Sequence, residues 1–198
     1  GEEINTVPDG TVSCKFWGLG SDGTVGANKN TIKIIGDHTG LNVQAYFEYD
    51  GKKSGGVTRS HLRFGKEPIR STYLVQNADF VACHNESYLG KYDILEDVKE
   101  GGSVLIACGW KEEELETHLT SAFKKKAADK HIHLYTIDST GIAQELGLGS
   151  RTNTILQAAF FKITGIIPME KAEEYMKKAI FKSYGKKGEK VIQMNYAE

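Results

Sequence analysis

The chain is poor in cysteine, in net charge and in long apolar runs, and each shortage removes a class of function. Its 198 residues include three cysteines, Cys14, Cys83 and Cys108. Each stands inside an apolar strand-like run, without the C-x-x-C spacing that metal or iron–sulfur ligation needs. They read as small buried hydrophobes in a reducing cytosol, so this polypeptide alone is expected to hold no metal and no iron–sulfur cluster. Charged residues make up 26% but nearly cancel, leaving −1. No global field therefore draws the chain to nucleic acid or to an anionic membrane. No apolar run approaches a membrane span, and the N-terminus lacks the basic-then-apolar run of a signal peptide. A cytoplasmic chain with neither nucleic acid nor membrane among its partners is the expectation. Internal repeats and low-complexity stretches are also lacking.

Glycine, by contrast, is plentiful, with 22 residues, and six of them fall in two turns. The first runs from Phe16 through Gly18, Gly20, Gly23 and Gly26 to Lys29, and the second from Lys52 through Gly55 and Gly56 to Phe64. Each follows a strand-like run and offers free backbone N–H groups, the makings of a cradle for a phosphate-bearing ligand.

Residues 1–10 are polar, contain Pro8-Asp9-Gly10 and read as a leader or linker. Residues 11–185 read as a single α/β domain, and 186–198 as a patternless tail or linker to a following domain. Val12 to Trp17 alternates like a strand, and Thr24 to Ile35 carries apolar residues at helical spacing. Asn42–Tyr49 is a second strand. The seven residues Asp50 to Gly56 cannot hold a crossover helix, so Val57–Phe64 must return antiparallel. A tight turn at 65–68 leads to a further strand, Ile69–Val75. Beyond it the pattern reads as strand Ala78–Cys83, helix Glu86–Val98, strand Ser103–Cys108, helix Glu112–Lys126, strand Ile132–Ile137 and a short helix Gly141–Leu146 capped by Ser139 or Thr140. Ile155–Ile167 is apolar on nearly every side and belongs in the core or against a partner. Met169–Tyr184 is amphipathic. The fold class is a three-layer α/β/α arrangement with a mixed, mainly parallel sheet, a Rossmann-like start and an antiparallel hairpin and meander insertion.

Gly18-x-Gly20-x-x-Gly23 occupies the place of a dinucleotide fingerprint. Two readings stand: a pyrophosphate site at a helix N-terminus, or a turn that packs helix against strand. Asp22 puts a negative charge where phosphate would sit, unless it caps the helix. Lys52 and Lys53 either face the same crevice or are solvated lysines of a hairpin. Arg59, His61 and Arg63 share one face of the third strand and could meet phosphate, a carboxylate or a neighbouring subunit. His84-Asn85-Glu86 reaches the same sheet edge, where a helix cap accounts for it. An acid at the end of the second strand is poorly placed for NAD, and no Ser/Tyr/Lys or His/Asp constellation follows, so a dehydrogenase fragment is the weakest reading.

The stretches Trp17–Lys29 (WGLGSDGTVGANK), Lys53–Phe64 (KSGGVTRSHLRF) and Gly141–Asn153 (GIAQELGLGSRTN) closely resemble the gamma-type domain (domain III) of the pyruvate:ferredoxin (flavodoxin) oxidoreductases. The resemblance covers almost the whole chain. It implies an enzyme of anaerobic metabolism that joins pyruvate and coenzyme A to give acetyl-CoA, CO2 and low-potential electrons for ferredoxin or flavodoxin. Thiamine diphosphate, magnesium and iron–sulfur clusters would belong to other domains, and the chain would be an excised domain or a separate subunit. Other domains or subunits of the enzyme would be its partners. Its own contribution would be coenzyme A handling and assembly surface, with no catalytic residue. On that reading Gly20, Ser21, Asp22, Gly23 and Thr24 form the first half of a coenzyme A site, Lys29, Lys53 and Arg63 supply charge, and Ser54, Gly55 and Gly56 let the ligand approach. The rival is a purely structural docking module.

Overall fold

The computed structural model describes residues 7–50, 56–175 and 192–195. Alternating apolar residues build strands β1 (Val12–Leu19), β2 (Asn42–Tyr49), β3 (Val57–Gly65), β4 (Ala78–Cys83), β5 (Val98–Ala107), β6 (His133–Ile137) and β7 (Ile192–Asn195). They form one sheet in the order β2-β3-β1-β4-β5-β6-β7. β1, β4, β5 and β6 pair in parallel, whereas β3 runs antiparallel to both β1 and β2, and β7 antiparallel to β6. The short β2–β3 connection does force a hairpin, and β1 and β2 consequently point the same way with β3 between them.

Helices α1 (Thr24–His38), α4 (Ser139–Glu145), α5 (Asn153–Thr164) and α6 (Met169–Tyr175) cover one face. Helices α2 (Glu112–His118) and α3 (Ser121–Asp129), with the segment around Tyr88, Ile94 and Leu95, cover the other. The expected three layers are present. α5 is apolar all round because it lies against the sheet and also packs on α1, α4 and α6. Phe160 is its centre, with ring centroids 5.3 Å from both Phe16 and Phe80. Gln157 Nε2 donates to Thr31 Oγ1 at 2.8 Å and joins α5 to α1.

Several local expectations are corrected. Residues 69–75 form no strand, because side chains rather than a ladder take up the backbone groups: Gln44 Nε2 donates to Ser71 O, and Val75 N donates to His61 Nδ1. Glu86–Val98 is not a helix. Asn85 Oδ1 accepts from Ser87 N and starts a single 3₁₀ turn, Glu86–Gly90, after which Ile94 and Leu95 are buried from irregular chain and Val98 already belongs to β5. The helix expected over Glu112–Lys126 divides because Thr120 Oγ1 accepts from Phe123 N and caps a second helix. Asp138, not Ser139 or Thr140, caps α4, through Gly141 N. The tail is not without pattern, since Ile192–Asn195 adds an antiparallel edge strand, His133 pairing with Asn195. The expected continuation of α6 to Tyr184 lies outside the described residues. Among the described residues, no helix is long and apolar enough to cross a membrane.

Candidate functional site at the carboxyl rim

The chain leaves β1 towards β2 on one side and later places β4 on the other, so its winding reverses between β1 and β4. At such a point the loops diverge and an open α/β sheet leaves a crevice beyond the strands' carboxyl ends. The turn Gly18–Thr24 and the end of β4, at His84, border it.

Both glycine turns reach this rim, because β2 ends and β3 begins there. Gly20 N donates to Gly56 O at 2.9 Å, so the two turns are bonded to each other. Lys53, Ser54 and Gly55 lie outside the described residues. Ser21 and Gly23 are exposed, as is Lys29, whose Nζ lies 5.5 Å from the Phe47 ring centroid.

Other donors of the expected cradle are already engaged. Asp22 Oδ1 accepts from Thr24 N at 2.8 Å and Oδ2 from Leu19 N at 2.9 Å, so the anion at the α1 N-terminus is the protein's own carboxylate. Asp22 thus takes up the first amide of α1, one residue before the Gly23 N-cap. Thr24 is buried, and its Oγ1 lies 2.9 Å from His84 Nδ1. Its hydroxyl is therefore turned into the protein, against His84. The glycines make these approaches possible. A Cβ on Gly18 would lie 2.6 Å from Thr24 Oγ1. Gly23 has φ 82°, and a Cβ there would meet Asn153 Nδ2, the group that donates to Asp22 O at 2.8 Å. Packing of α1 on β1 thus accounts for Gly18, and the left-handed turn beside Asn153 accounts for Gly23.

Arg63 is not part of the rim. It pairs with Ser13 at the far end of β3, six residues beyond Val57, which is roughly 20 Å along the strand. Its Nη1 donates to Gln44 Oε1 (2.7 Å) and Thr72 O (2.5 Å), and its Nη2 to Leu74 O (2.9 Å). Burial lowers its pKa from the usual arginine range. The other two residues of the β3 stripe meet Glu48: His61 Nε2 lies 2.5 Å from its Oε1, and Arg59 lies 3.5 Å from its Oε2. Because His61 Nδ1 accepts from Val75 N, its proton sits on Nε2 and the ring is a neutral donor to Glu48. A cavity of about 650 Å³, lined by Arg63, Ser13, Asp79 and Lys99 among others, opens at this opposite, amino rim.

The rim residue that sequence reasoning undervalued is His84. Burial pushes its imidazole down to about 4, against a smaller upward pull from Asp22. Phe16 lies against it, with the ring centroids 6.0 Å apart. Its Nε2 meets no partner among the described residues. The available signal was position alone, at the end of the strand beside the winding reversal. Cys14 is buried on one face of the sheet and Cys83 and Cys108 on the other, with all three thiols pushed up by burial. Among the described residues no three His, Cys, Asp or Glu side chains gather as metal ligands. The described residues do not fit a cluster or a metal.

The family described as pyruvate ferredoxin/flavodoxin oxidoreductase matches residues 13–197. A pyruvate:ferredoxin oxidoreductase of Moorella thermoacetica is 58% identical over 196 residues, which is 99% of this chain but 17% of that protein. The chain therefore spans about a sixth of the length of that curated relative. A pyruvate oxidoreductase subunit of Thermotoga maritima shares the fold with a TM-score of 0.71 at 22% identity, covering 94% of this chain and all of that one. A 2-oxoglutarate:ferredoxin oxidoreductase of Magnetococcus marinus, whose structure holds 2-oxoglutarate, coenzyme A and succinyl-CoA, aligns at a TM-score of 0.61 and 18% identity, over 93% of this chain and 29% of that one. With the family matched across all but the ends of the sequence, this chain belongs to the pyruvate ferredoxin/flavodoxin oxidoreductases.

Proposed function

We propose that the chain serves as the gamma-type domain of an enzyme that converts pyruvate and coenzyme A to acetyl-CoA and CO2 and passes the electrons to ferredoxin or flavodoxin. The observation that carries this reading is the family match over residues 13–197. The 2-oxo acid chemistry then belongs to other parts of a cytosolic assembly, where thiamine diphosphate, magnesium and iron–sulfur clusters would be held. This chain's part is to receive coenzyme A as a substrate at the carboxyl rim.

The hydrogen bond between Gly20 and Gly56 supports that part, since it keeps both turns at one crevice. So do the exposed Ser21, Gly23 and Lys29. The first-turn amides of α1 at Val25 and Gly26 have no helical partner, as at any helix start. Lys53, Ser54 and Gly55 join the proposal from their position between β2 and β3. The capping carboxylate of Asp22 favours a second reading, in which the turns only pack and the domain is scaffold.

Kinetics of the intact enzyme separate the two. With Lys29→Ala and Lys53→Ala combined, the KM for coenzyme A should rise about tenfold or more, the loss of one or two charge-assisted contacts. The KM for pyruvate should not move. An unchanged KM for coenzyme A would leave only the scaffold reading.

A further inference from the structure

Three of the four large apolar side chains that are exposed among the described residues lie together: Tyr46 (42%), Tyr73 (61%) and Leu74 (42%). The Tyr46 and Tyr73 rings stack with centroids 5.7 Å apart and planes at 24°. With Glu48, Thr72 and Gln76 the three border a groove of about 480 Å³ over β2 and the segment that crosses β3. The backbone carrying Tyr73 and Leu74 is irregular, yet it is held from beneath by polar side chains of β2 and β3. Arg63 holds the carbonyls of Thr72 and Leu74, Gln44 holds that of Ser71, and His61 accepts from Val75 N. Val75 is 1% exposed and anchors the segment, while the two residues before it project outward. An arginine and a histidine are thus buried, at a desolvation cost, to hold apolar side chains in water.

We propose that the Tyr46–Tyr73–Leu74 patch is the face on which another part of the same longer oxidoreductase packs. Rigidly held tyrosines suit such a contact, since they contribute large area with little rotamer freedom to lose. The occupant follows from chain length. Most of the length of the Moorella relative lies outside the segment this chain matches, so many residues remain to cover its surfaces. The fold is matched both by a stretch of a longer chain and by a whole separate subunit. The counter-face should be apolar and poor in charge, with an acceptor for a tyrosine hydroxyl. The inference rests on the reading of this chain as one domain of that enzyme.

The test uses the intact enzyme with benzoylphenylalanine, a photo-crosslinker, in place of Tyr73, which leaves the Arg63 clamp untouched. Irradiation should link it to a peptide from outside this chain's sequence. In the unsubstituted enzyme, tetranitromethane should nitrate Tyr46 and Tyr73 at least about tenfold more slowly in the native state than in urea. A cross-link to the same domain of a second copy would overturn the proposed occupant. Native nitration at the unfolded rate without a cross-link would overturn the docking face altogether. Pyruvate-dependent reduction of the electron carrier, followed in the same preparation, reports separately on the proposed function.

Discussion

Replacing Arg63 with methionine distinguishes two roles for one cation. In a phosphate site its loss would weaken ligand binding and leave stability alone. In the structure it is 4% exposed and donates to Gln44 Oε1, Thr72 O and Leu74 O. Methionine keeps much of the stem's bulk and none of the donors. Hydrogen bonds from a charged donor contribute about 1.5–3 kcal/mol each. Part of that is recovered, because Thr72 and Leu74 belong to an exposed segment that water can reach, and because no guanidinium need then be desolvated. A net loss of about 3 kcal/mol is expected, which lowers the melting temperature of a domain this size by about 6–12 °C. Calorimetric melting of the parent and Arg63→Met chains measures it, and titration of the intact enzymes with coenzyme A runs alongside. An unshifted melt together with weakened coenzyme A binding would refute the clamp and return Arg63 to the ligand.

Phe160→Ala empties the point where Phe16, Phe64, Phe80 and Phe161 converge, and should cost about 3–5 kcal/mol in urea unfolding; a loss under about 1 kcal/mol would mean the core is not organised around α5. Acid should destabilise the fold through His84, whose imidazole is lowered from 6.5 to about 4. The unfolded chain takes up that proton first, so this stability is complete above pH 6.5, drains away as pH falls towards about 4, and amounts to about 3 kcal/mol. His61, also lowered by burial, acts in the same direction. Unfolding free energies at pH 7.5 and pH 5 for the parent and His84→Gln chains should show a flatter fall in the variant; equal slopes would refute the assignment.

The legible parts of the fold are those set within a few residues. The seven-residue gap between Tyr49 and Val57 forces an antiparallel return, whatever surrounds it. The same gap, with a strand–turn–helix before it, brings both glycine turns to one rim. The apolar girth of α5 announced a buried helix. The apolar stripe of residues 88–98 misled, because Tyr88, Ile94 and Leu95 are buried from a 3₁₀ turn and irregular chain, and burial alone imposes no helical period. The strand expected over 69–75 failed similarly, its backbone partners being side chains of β2 and β3.

The amino-acid sequence alone determined the strand–turn–helix opening, the hairpin, the family resemblance and the buried α5, since residue spacing and loop length act locally. Tertiary structure alone decided which charges were free. Asp22 is an anion and Arg63 a cation in any fold, but the amides of Leu19 and Thr24 claim the first and the carbonyls of Thr72 and Leu74 claim the second. The tie from Asn153 to Asp22 spans 131 positions. A polar group's availability depends on which partners the folded chain brings to it, and partners that distant leave no periodic trace in the sequence.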